Sequence, residues 1–590
     1  YISMKNKCLN FLLFVVVAFV SPGLLWAQNQ PVKGKVLDEK TKEALIGVSV
    51  LEAGSTSNGT VTDLDGNFSL SVPEGATLRI SYVGYLVQEI PLNGRKSLEV
   101  LLKEDTEMLD EVVIVGYGVQ KKATLSGSVT SIGGEKLANT PVTNVSQGLA
   151  GRLPGVVAIS NTAEPGYDGA TIRIRGVNTF GKADPLVVVD GVPGRSLERI
   201  DPSTIETMSV MKDASAAIYG AQAANGVIII TTKRGKKGKP TVNLSYNYGI
   251  SRPTVIPEMA NASEYATLLN EIDKYAGNKE RYTPEDIQKY RDGSDPWSYP
   301  NTDWFKETLK PWSPQTYANA TIDGGTDNMT YFVSVSAKTQ DGFYRNSGTK
   351  YNQYDLKSNL DLKLNKYINL FMNLTGRMED RKYPTRSSEN IFRMLMRSKP
   401  NMPAYWPNGL PGPDIEFGDN PVVIATDATG YERDKRYILN GDFGVNINVP
   451  YVEGLTLKAT ASLDKNFRFR KIWQTPWTLY SWDGTSMDEN NNPLLVEGKK
   501  GFSDPRLRES MEDNQNILLS GIINYNRTFA ENHSVNVLAG AERITGKGDS
   551  FEAFRRYFIS TAIDELFAGG QDEINNTGKG YKEARLNYFG

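Results

Sequence analysis

The sequence predicts a mainly β chain in three parts. An N-terminal β-sandwich comes first, a mixed α/β segment follows, and the remainder is the first part, about ten strands, of a large antiparallel membrane-spanning β-barrel. Three observations carry this. Short strands separated by turn clusters fill residues 31–103, strands and a short helix alternate over 124–238, and from residue 241 long strands alternate apolar and polar residues. The expected boundaries are a signal peptide at 4–27, the sandwich at 28–107, a connecting segment at 108–123, the α/β domain at 124–238 and the partial barrel at 239–590.

The chain's 590 residues are enough for several cores. Lys plus Arg is 66 and Asp plus Glu is 68, a net charge of -2, so no basic stripe points to nucleic acid. The single Cys, Cys8, excludes a disulfide within the chain, and with one His, His533, there is too little to build a zinc finger or an HExxH helix. His533 reads as a turn residue in "AENHSVN", and neither a metal, a cofactor nor a catalytic residue is expected.

Met4 followed by Lys5, Lys7 and the ten apolar residues Phe11–Val20 reads as a secretory signal ending near Ala27. The run is too short for a spanning helix, and no later segment is long enough, so a membrane location demands a barrel. Cys8 precedes the apolar run and is not placed like a lipoprotein cysteine.

In the sandwich, "VKGKVLD", "GVSVLEAG", "TVTDLDG", "NFSLSVP", "TLRISYVGY" and "LEVLLK" are the strands, divided by turns such as Asp65-Gly66-Asn67. "DLDGN" lacks the later Glu of a calcium loop and is expected to be a turn. In the α/β segment, "ATIRIRG" places Ile172 and Ile174 against Arg173 and Arg175, "PLVVVDGVPG" is a buried strand ending in a turn at Asp190-Gly191, and Asp213 opens a short helix closed by Gly220. Arg173 and Arg175 are expected to meet polar groups of a surrounding wall, with Ile172 and Ile174 in the segment's own core.

Among the long strands, Tyr354, Leu356, Leu360, Leu362 and Leu364 share one face, and Asp355, Lys357, Asn359, Asp361 and Lys363 share the other. The links near 325–328, 365–366, 450–453 and 529–533 are short, and those near 251–315, 340–352, 379–436, 466–513 and 547–583 are long. Outer-membrane barrels sort their links by parity in this way, whereas a soluble sandwich has no reason to. Loop tryptophans Trp297, Trp304, Trp312, Trp473, Trp477 and Trp482 are candidates for stacking on a ligand, or else for loop-core and girdle positions.

One short stretch fits neither neighbour. "DEVVIVGYG", Asp110 to Gly118, holds four consecutive β-formers between charged flanks. It is no dinucleotide loop, since the third glycine would fall at Lys121. It either completes a sheet of the sandwich, lies on the α/β segment, or is a strand meant for a partner.

Four ordered segments, "GRLPGVVAIS", "PGYDGATIRIRGVNTF", "DPLVVVDGVPG" and "IETMSVMKDASAAIYGAQAANGVIIITTKRG", together resemble the plug of SusC/RagA-type TonB-dependent transporters of the Bacteroidetes outer membrane. The domain before them is similar to the carboxypeptidase-regulatory-like domain that precedes many such plugs. The resemblance implies that Asp110, Glu111, Val112, Val113, Ile114, Val115, Gly116, Tyr117 and Gly118 form the TonB box, captured by strand addition to the inner-membrane energy-coupling partner TonB. It also implies a plug gated through residues such as Arg173, Arg175, Asp190 and Gly191, a SusD-like surface lipoprotein as cap, and an oligosaccharide or peptide as cargo. The family's barrel needs about twice the strands seen here, so the sequence reads as the N-terminal portion of a longer chain. A siderophore or metal-chelate receptor, and a non-transporting surface adhesion protein, are the alternatives. A peptidase is suggested only by the name of the first domain.

Overall fold

The computed structural model describes residues 29–590 except 54–57, 74, 83–84, 104–111, 116–117, 122–128, 141–143, 161, 163, 178–180 and 531–532. The expected signal peptide lies outside these residues. Two compact units divide the chain, one built on the sandwich and including Val119–Leu125, the other made of Ile114–Gly118 and Ser126–Gly590.

In the first unit, β1 (Asn29–Asp38), β4 (Asn67–Pro73) and β7 (Ser97–Leu102) form one sheet in the order β4-β1-β7. A second sheet, β3-β2-β5-β6, joins β3 (Gly59–Val61), β2 (Ser49–Glu52), β5 (Thr77–Ser81) and β6 (Gln88–Pro91). Period-2 alternation turns Val32, Val36, Val50, Phe68, Leu70, Val72, Leu78 and Ile80 into one shared core, as a sandwich requires. The "DLDGN" stretch is a turn, with Asp63 Oδ1 accepting from the Asn67 N–H at 2.8 Å.

The α/β segment centres on a five-stranded sheet in the order β10-β15-β16-β13-β14, from β10 (Val129–Gly133), β15 (Ile205–Met211), β16 (Val227–Thr232), β13 (Leu186–Val189) and β14 (Val192–Pro193). β13 and β16 run parallel and are apolar on both faces, so each face is buried by its own layer. A second pair, β11 (Val156–Ser160) and β12 (Ala170–Ile174), sends Ile172 and Ile174 into that core, as expected. The short helix expected after Asp213 is instead a 3-10 stretch, Ala214–Ala223, kinked where Gly220 turns to φ 73°.

The barrel part is a ten-stranded antiparallel meander. Its strands are β17 (Gly238–Ser251), β18 (Ser313–Gly325), β19 (Met329–Asp341), β20 (Lys350–Lys363), β21 (Ile368–Tyr383), β22 (Gly430–Asn448), β23 (Leu455–Gln474), β26 (Arg506–Phe529), β27 (His533–Arg556) and β28 (Asn575–Phe589). Short links at 326–328, 364–367, 449–454 and 530–532 alternate with long ones, as the sequence predicts. Tyr354 and Leu356 are half exposed on the outer face, while Lys357 and Asn359 are 7% and 0% exposed on the inner one. Polar residues therefore face the lumen and apolar residues face outward, the arrangement of a strand between lipid and a filled pore.

The long links are not loose. Helices Ala262–Tyr275 and Pro284–Asp292 pack on each other around Ala262, Ala266 and Tyr290, and helix Ser388–Arg397 with the hairpin of β24 (Trp477–Ser481) and β25 (Val496–Lys500) folds into a cap. Its core takes Trp304 and Leu309 from one link, Tyr344 from the next, Ile391, Met394 and Val423 from a third, and Trp477 and Leu479 from a fourth. The first two helices carry capping boxes, Asn261 with Glu264 and Thr283 with Asp286, which fix where each begins.

Candidate gating interface between the α/β segment and the barrel wall

The α/β segment keeps its apolar residues to itself and meets the barrel through polar side chains. Asp190 and Gly191 form the two-residue turn between β13 and β14, with φ of 52° and 87°. Both positive angles suit a type I′ hairpin, which the Asp-Gly pair favours. The turn aims Asp190 at the end of β16, where its carboxylate accepts from the Thr232 N–H at 2.9 Å and from Thr232 Oγ1 at 2.8 Å. Lys357 of β20 reaches the same carboxylate at 3.4 Å.

Just beyond β14, Arg195 crosses to the wall. Its guanidinium takes Asp442 of β22 through Nη2 at 2.5 Å and Nη1 at 3.1 Å, and Asp464 of β23 through Nη2 at 2.7 Å and Nε at 3.1 Å. Burial works against the charge on Arg195, but the two carboxylates more than offset it and raise its pKa. Four residues on, Arg199 pairs with Asp168 at 2.5 Å, both side chains being 3% exposed or less, and its guanidinium lies 4.7 Å above the Tyr351 ring of β20. Gln353 donates to the Arg199 carbonyl at 2.9 Å, Tyr317 donates to Asp201 at 2.6 Å, and Tyr383 donates to the Pro165 carbonyl. Arg234, past β16, closes the series on Asp361 at 2.6 Å and Asn373 at 3.2 Å.

A cavity of about 280 Å³ remains along this seam, lined by Arg195, Lys357, Arg377, Asn440, Asp464 and Asn514 among others. It carries charged and amide side chains among apolar ones and is large enough for ordered water. Such an interface can exchange ion pairs for water without exposing an apolar core, whereas a hydrophobic seam would lock the segment in place.

The arginines singled out from the sequence lie elsewhere. Arg173 binds Asp184 at 2.5 Å inside the same segment instead of reaching the wall, and Arg175 is exposed with a left-handed φ of 55°. The contacts to the wall come from Arg195, Arg199 and Arg234, which sequence reasoning missed. A detectable signal was the set of charges, such as Asp442 and Asp464, in mid-strand on a polar face, where each needs a counter-charge.

Of the tryptophans, Trp304, Trp473 and Trp477 are 4%, 4% and 6% exposed and serve as core. Trp312 is exposed under the Arg252 guanidinium. Trp297 and Trp482 are half-buried and converge on Trp406, with Trp297 stacked on it at 5.5 Å and Trp482 edge-on at 6.3 Å. Trp406 was not anticipated.

For the partner-strand stretch, Val112–Val115 forms β8 and Gly118–Lys121 forms β9, and the two make a sheet of their own. Neither sandwich sheet nor the five-stranded sheet includes β8. Asp110, Glu111, Gly116 and Tyr117 lie outside the described residues.

Residues 121–227 match the TonB-dependent Receptor Plug Domain, and residues 32–114 match the CarboxypepD_reg-like domain. The chain is 33% identical over 479 residues to the TonB-dependent receptor SusC of Bacteroides thetaiotaomicron, covering 75% of this chain and 45% of that protein. It is 31% identical over 549 residues to the TonB-dependent receptor P39 of Formosa agariphila, covering 91% of this chain and 48% of that one. In structure it resembles the RagAB peptide importer in its open-open state, with a TM-score of 0.65 at 23% identity over 81% of this chain and 54% of that one. The chain spans about half the length of the curated relatives it matches.

Proposed function

Because the chain belongs to the SusC-like TonB-dependent receptors, with their CarboxypepD_reg-like domain, plug and barrel strands, we propose that it serves TonB-dependent import of an oligosaccharide or a peptide across the outer membrane. The observation that carries this reading is the seam just described. The plug's apolar core is internal, and its hold on the wall is a set of ion pairs centred on Arg195, Asp442 and Asp464. A plug held this way stays seated at rest and moves under load.

The load enters at residues 110–118. An outer membrane has no ATP beside it, so the work is mechanical. β8 offers main-chain donors and acceptors to a partner's sheet edge, and the pull is transmitted to β10, the first strand of the plug. Asp190 and Gly191 set the hairpin that positions Arg195, which is their part in gating. Arg173 and Arg175 act inside the plug.

A surface lipoprotein of the SusD-like kind caps the barrel on this reading, and the loop core that unites four links gives it a stable platform. The half-buried Trp297 and Trp482 rings are the candidates for contact with cargo. The CarboxypepD_reg-like domain and the TonB box lie on the periplasmic side, with the barrel integral to the outer membrane.

The test is deletion of Glu111–Tyr117 in the full-length protein in its native host. Uptake of the cargo is expected to collapse while surface display of the barrel persists. Uptake that survives the deletion would sink the transporter reading in favour of adhesion. Gentle purification followed by mass spectrometry separates the cargo classes: a stoichiometric lipoprotein with an oligosaccharide or peptide supports the proposal, and a lone barrel holding a metal chelate supports a siderophore receptor.

A further inference from the structure

The outer face of the barrel is not evenly filled. Along one row of register partners, Met372 of β21, Phe443 of β22, Ala461 of β23 and Leu519 of β26 stand side by side, so a small residue lies between large ones. In the next row toward the short links, Ala459 of β23 meets Gly521 of β26. Together they leave an apolar hollow of about 740 Å³. Phe443 and Leu519, each 52% exposed, form its outward rim. The strands that line it, β20 to β23 and β26, are each paired on both sides.

Packing within the barrel does not demand small residues there. A Cβ on Gly521 meets nothing within 4 Å, and Ala459 and Ala461 are exposed. The hollow is therefore space left open toward the surroundings of the barrel. In a bilayer such space is neither empty nor wet. An unfilled hollow forfeits the dispersion contacts of its lining, and water there finds few polar partners. An acyl chain is the group that fills it. An apolar cavity of about 150 Å³ already takes a benzene ring, and this one is several times larger.

Height and charge say which part of the lipid lies below. Lys366 stands in the short link between β20 and β21, exposed and stacked over the Tyr367 ring at 4.8 Å. Met372 follows six residues later on β21. At about 3.4 Å per residue and a tilt near 40°, it lies no more than about 16 Å above Lys366, within the reach of one acyl chain. At the far side of the hollow, Arg527 is likewise six residues from Gly521, but it already holds Glu453 at 2.9 Å. Among the described residues the partner of Lys366 is an aromatic ring and not a carboxylate, so its ammonium is the one placed to receive a phosphate.

We infer that this hollow binds one phospholipid of the leaflet that meets the short links, with an acyl chain over Ala459, Ala461 and Gly521 and the phosphate at Lys366. The rim side chains Phe443 and Leu519 touch the chain from two sides, which a flat stretch of barrel wall cannot do. Lys366 holds the phosphate by charge-assisted hydrogen bonds. The inference rests on the outer-membrane location in the proposed function, not on import or cargo.

The experiment purifies the full-length protein from the outer-membrane fraction, titrates it in detergent with phosphatidylethanolamine or with diacylglycerol of the same chains, and counts bound lipid by native mass spectrometry. Wild type is expected to retain phosphatidylethanolamine several-fold better than A461F/G521L, in which the hollow is filled, and better than K366Q. G376L is the control. A Cβ on Gly376 also has open space, on the same outward face beside Leu356 but outside the hollow, so G376L retains lipid like wild type. Heat-modifiable gel migration first checks that each variant folds, and G521L alone replaces the double variant if that one does not. Equal retention by the filled variant, an equal loss in G376L, or equal retention of diacylglycerol overturns the site. A barrel missing from the outer-membrane fraction is a failure of the location, whereas a folded barrel there with unselective lipid is a failure of the site.

Discussion

Arg195 of the plug holds Asp442 of β22 and Asp464 of β23 with one guanidinium, its Nη2 lying 2.5 Å from the first carboxylate and 2.7 Å from the second. One side chain thereby bridges two neighbouring barrel strands and the plug. Removing only Arg195 leaves two carboxylates facing each other with side chains 4% and 20% exposed. R195M is expected to weaken plug seating by about 3–5 kcal/mol, the usual cost of an unpaired buried charge. Adding D442N and D464N to R195M removes the stranded charges and recovers much of that loss. Ion conductance through the reconstituted full-length barrel, together with protease access to the plug, reads both steps.

Gly166 is packed where a side chain cannot go. A Cβ there meets the Tyr351 ring at 2.7 Å and the Tyr383 hydroxyl at 2.8 Å, and its φ is +78°. G166A is expected to push the 165–168 loop off the wall and raise conductance. At Gly191 a Cβ has open space, so G191A costs only the left-handed backbone penalty, about 1–2 kcal/mol. A larger effect at 191 than at 166 would contradict the contact.

The partner strand makes a prediction about main-chain bonding. Proline removes a donor and cannot sit in the middle of a ladder, so V113P and I114P should abolish TonB-dependent uptake, whereas V113T, which keeps the backbone, should not. Disulfide cross-linking between cysteines placed in this segment and in TonB gives the readout, and it should disappear with uptake.

Three loops meet at Trp406. W406A is expected to loosen them together, at about 3–5 kcal/mol for a buried ring, and to open protease sites in the 252–312, 384–429 and 475–505 links. W297A and W482A remove half-buried rings. They should lower cargo affinity, as measured by calorimetry with the identified ligand, and loosen the links less than W406A does, because each removes one of the two ring contacts.

The sandwich has a built-in acid limit. Asp38 accepts from the Thr41 N–H at 2.7 Å and from the Tyr85 hydroxyl at 2.8 Å. The Thr41 amide first, and Tyr85 next, hold its pKa down from 3.8 to about 2. Stability from the ionised form is present above the unfolded value and lost as pH falls through about 2. D38N should reduce hydrogen-exchange protection over 29–103 in the intact protein near neutral pH, and its difference from wild type should vanish as pH falls from about 4 to about 2.

Much of the architecture was legible because it is local. The faces of β20 follow from a period of two, and lipid outside with a polar lumen inside makes that period visible in the residues Tyr354–Lys363. The parity of link lengths, short alternating with long, is equally local and is visible in the spacing of the strands. The Asp190-Gly191 turn and the strand at 112–115 were visible through turn chemistry and β propensity, whereas the pairing of that strand with β9 was not. The site was less legible. Arg173 and Arg175 stand out in the sequence because they alternate with isoleucines, yet alternation says only that they leave the core, not what they meet.

The sequence alone determined that this is a sandwich, a plug and a meander of barrel strands, because burial periodicity, turn residues and link length are written within a few residues of one another. Tertiary structure alone decided which charges tie plug to wall. Arg195 lies 247 residues from Asp442 and 269 from Asp464, and their meeting depends on strand register and on the plug's seat in the lumen. The three tryptophans likewise come from links whose proximity exists only once the barrel strands beneath them are aligned. Pairing over such separations is a property of the folded coordinates, since any buried carboxylate demands a counter-charge but no local pattern names it.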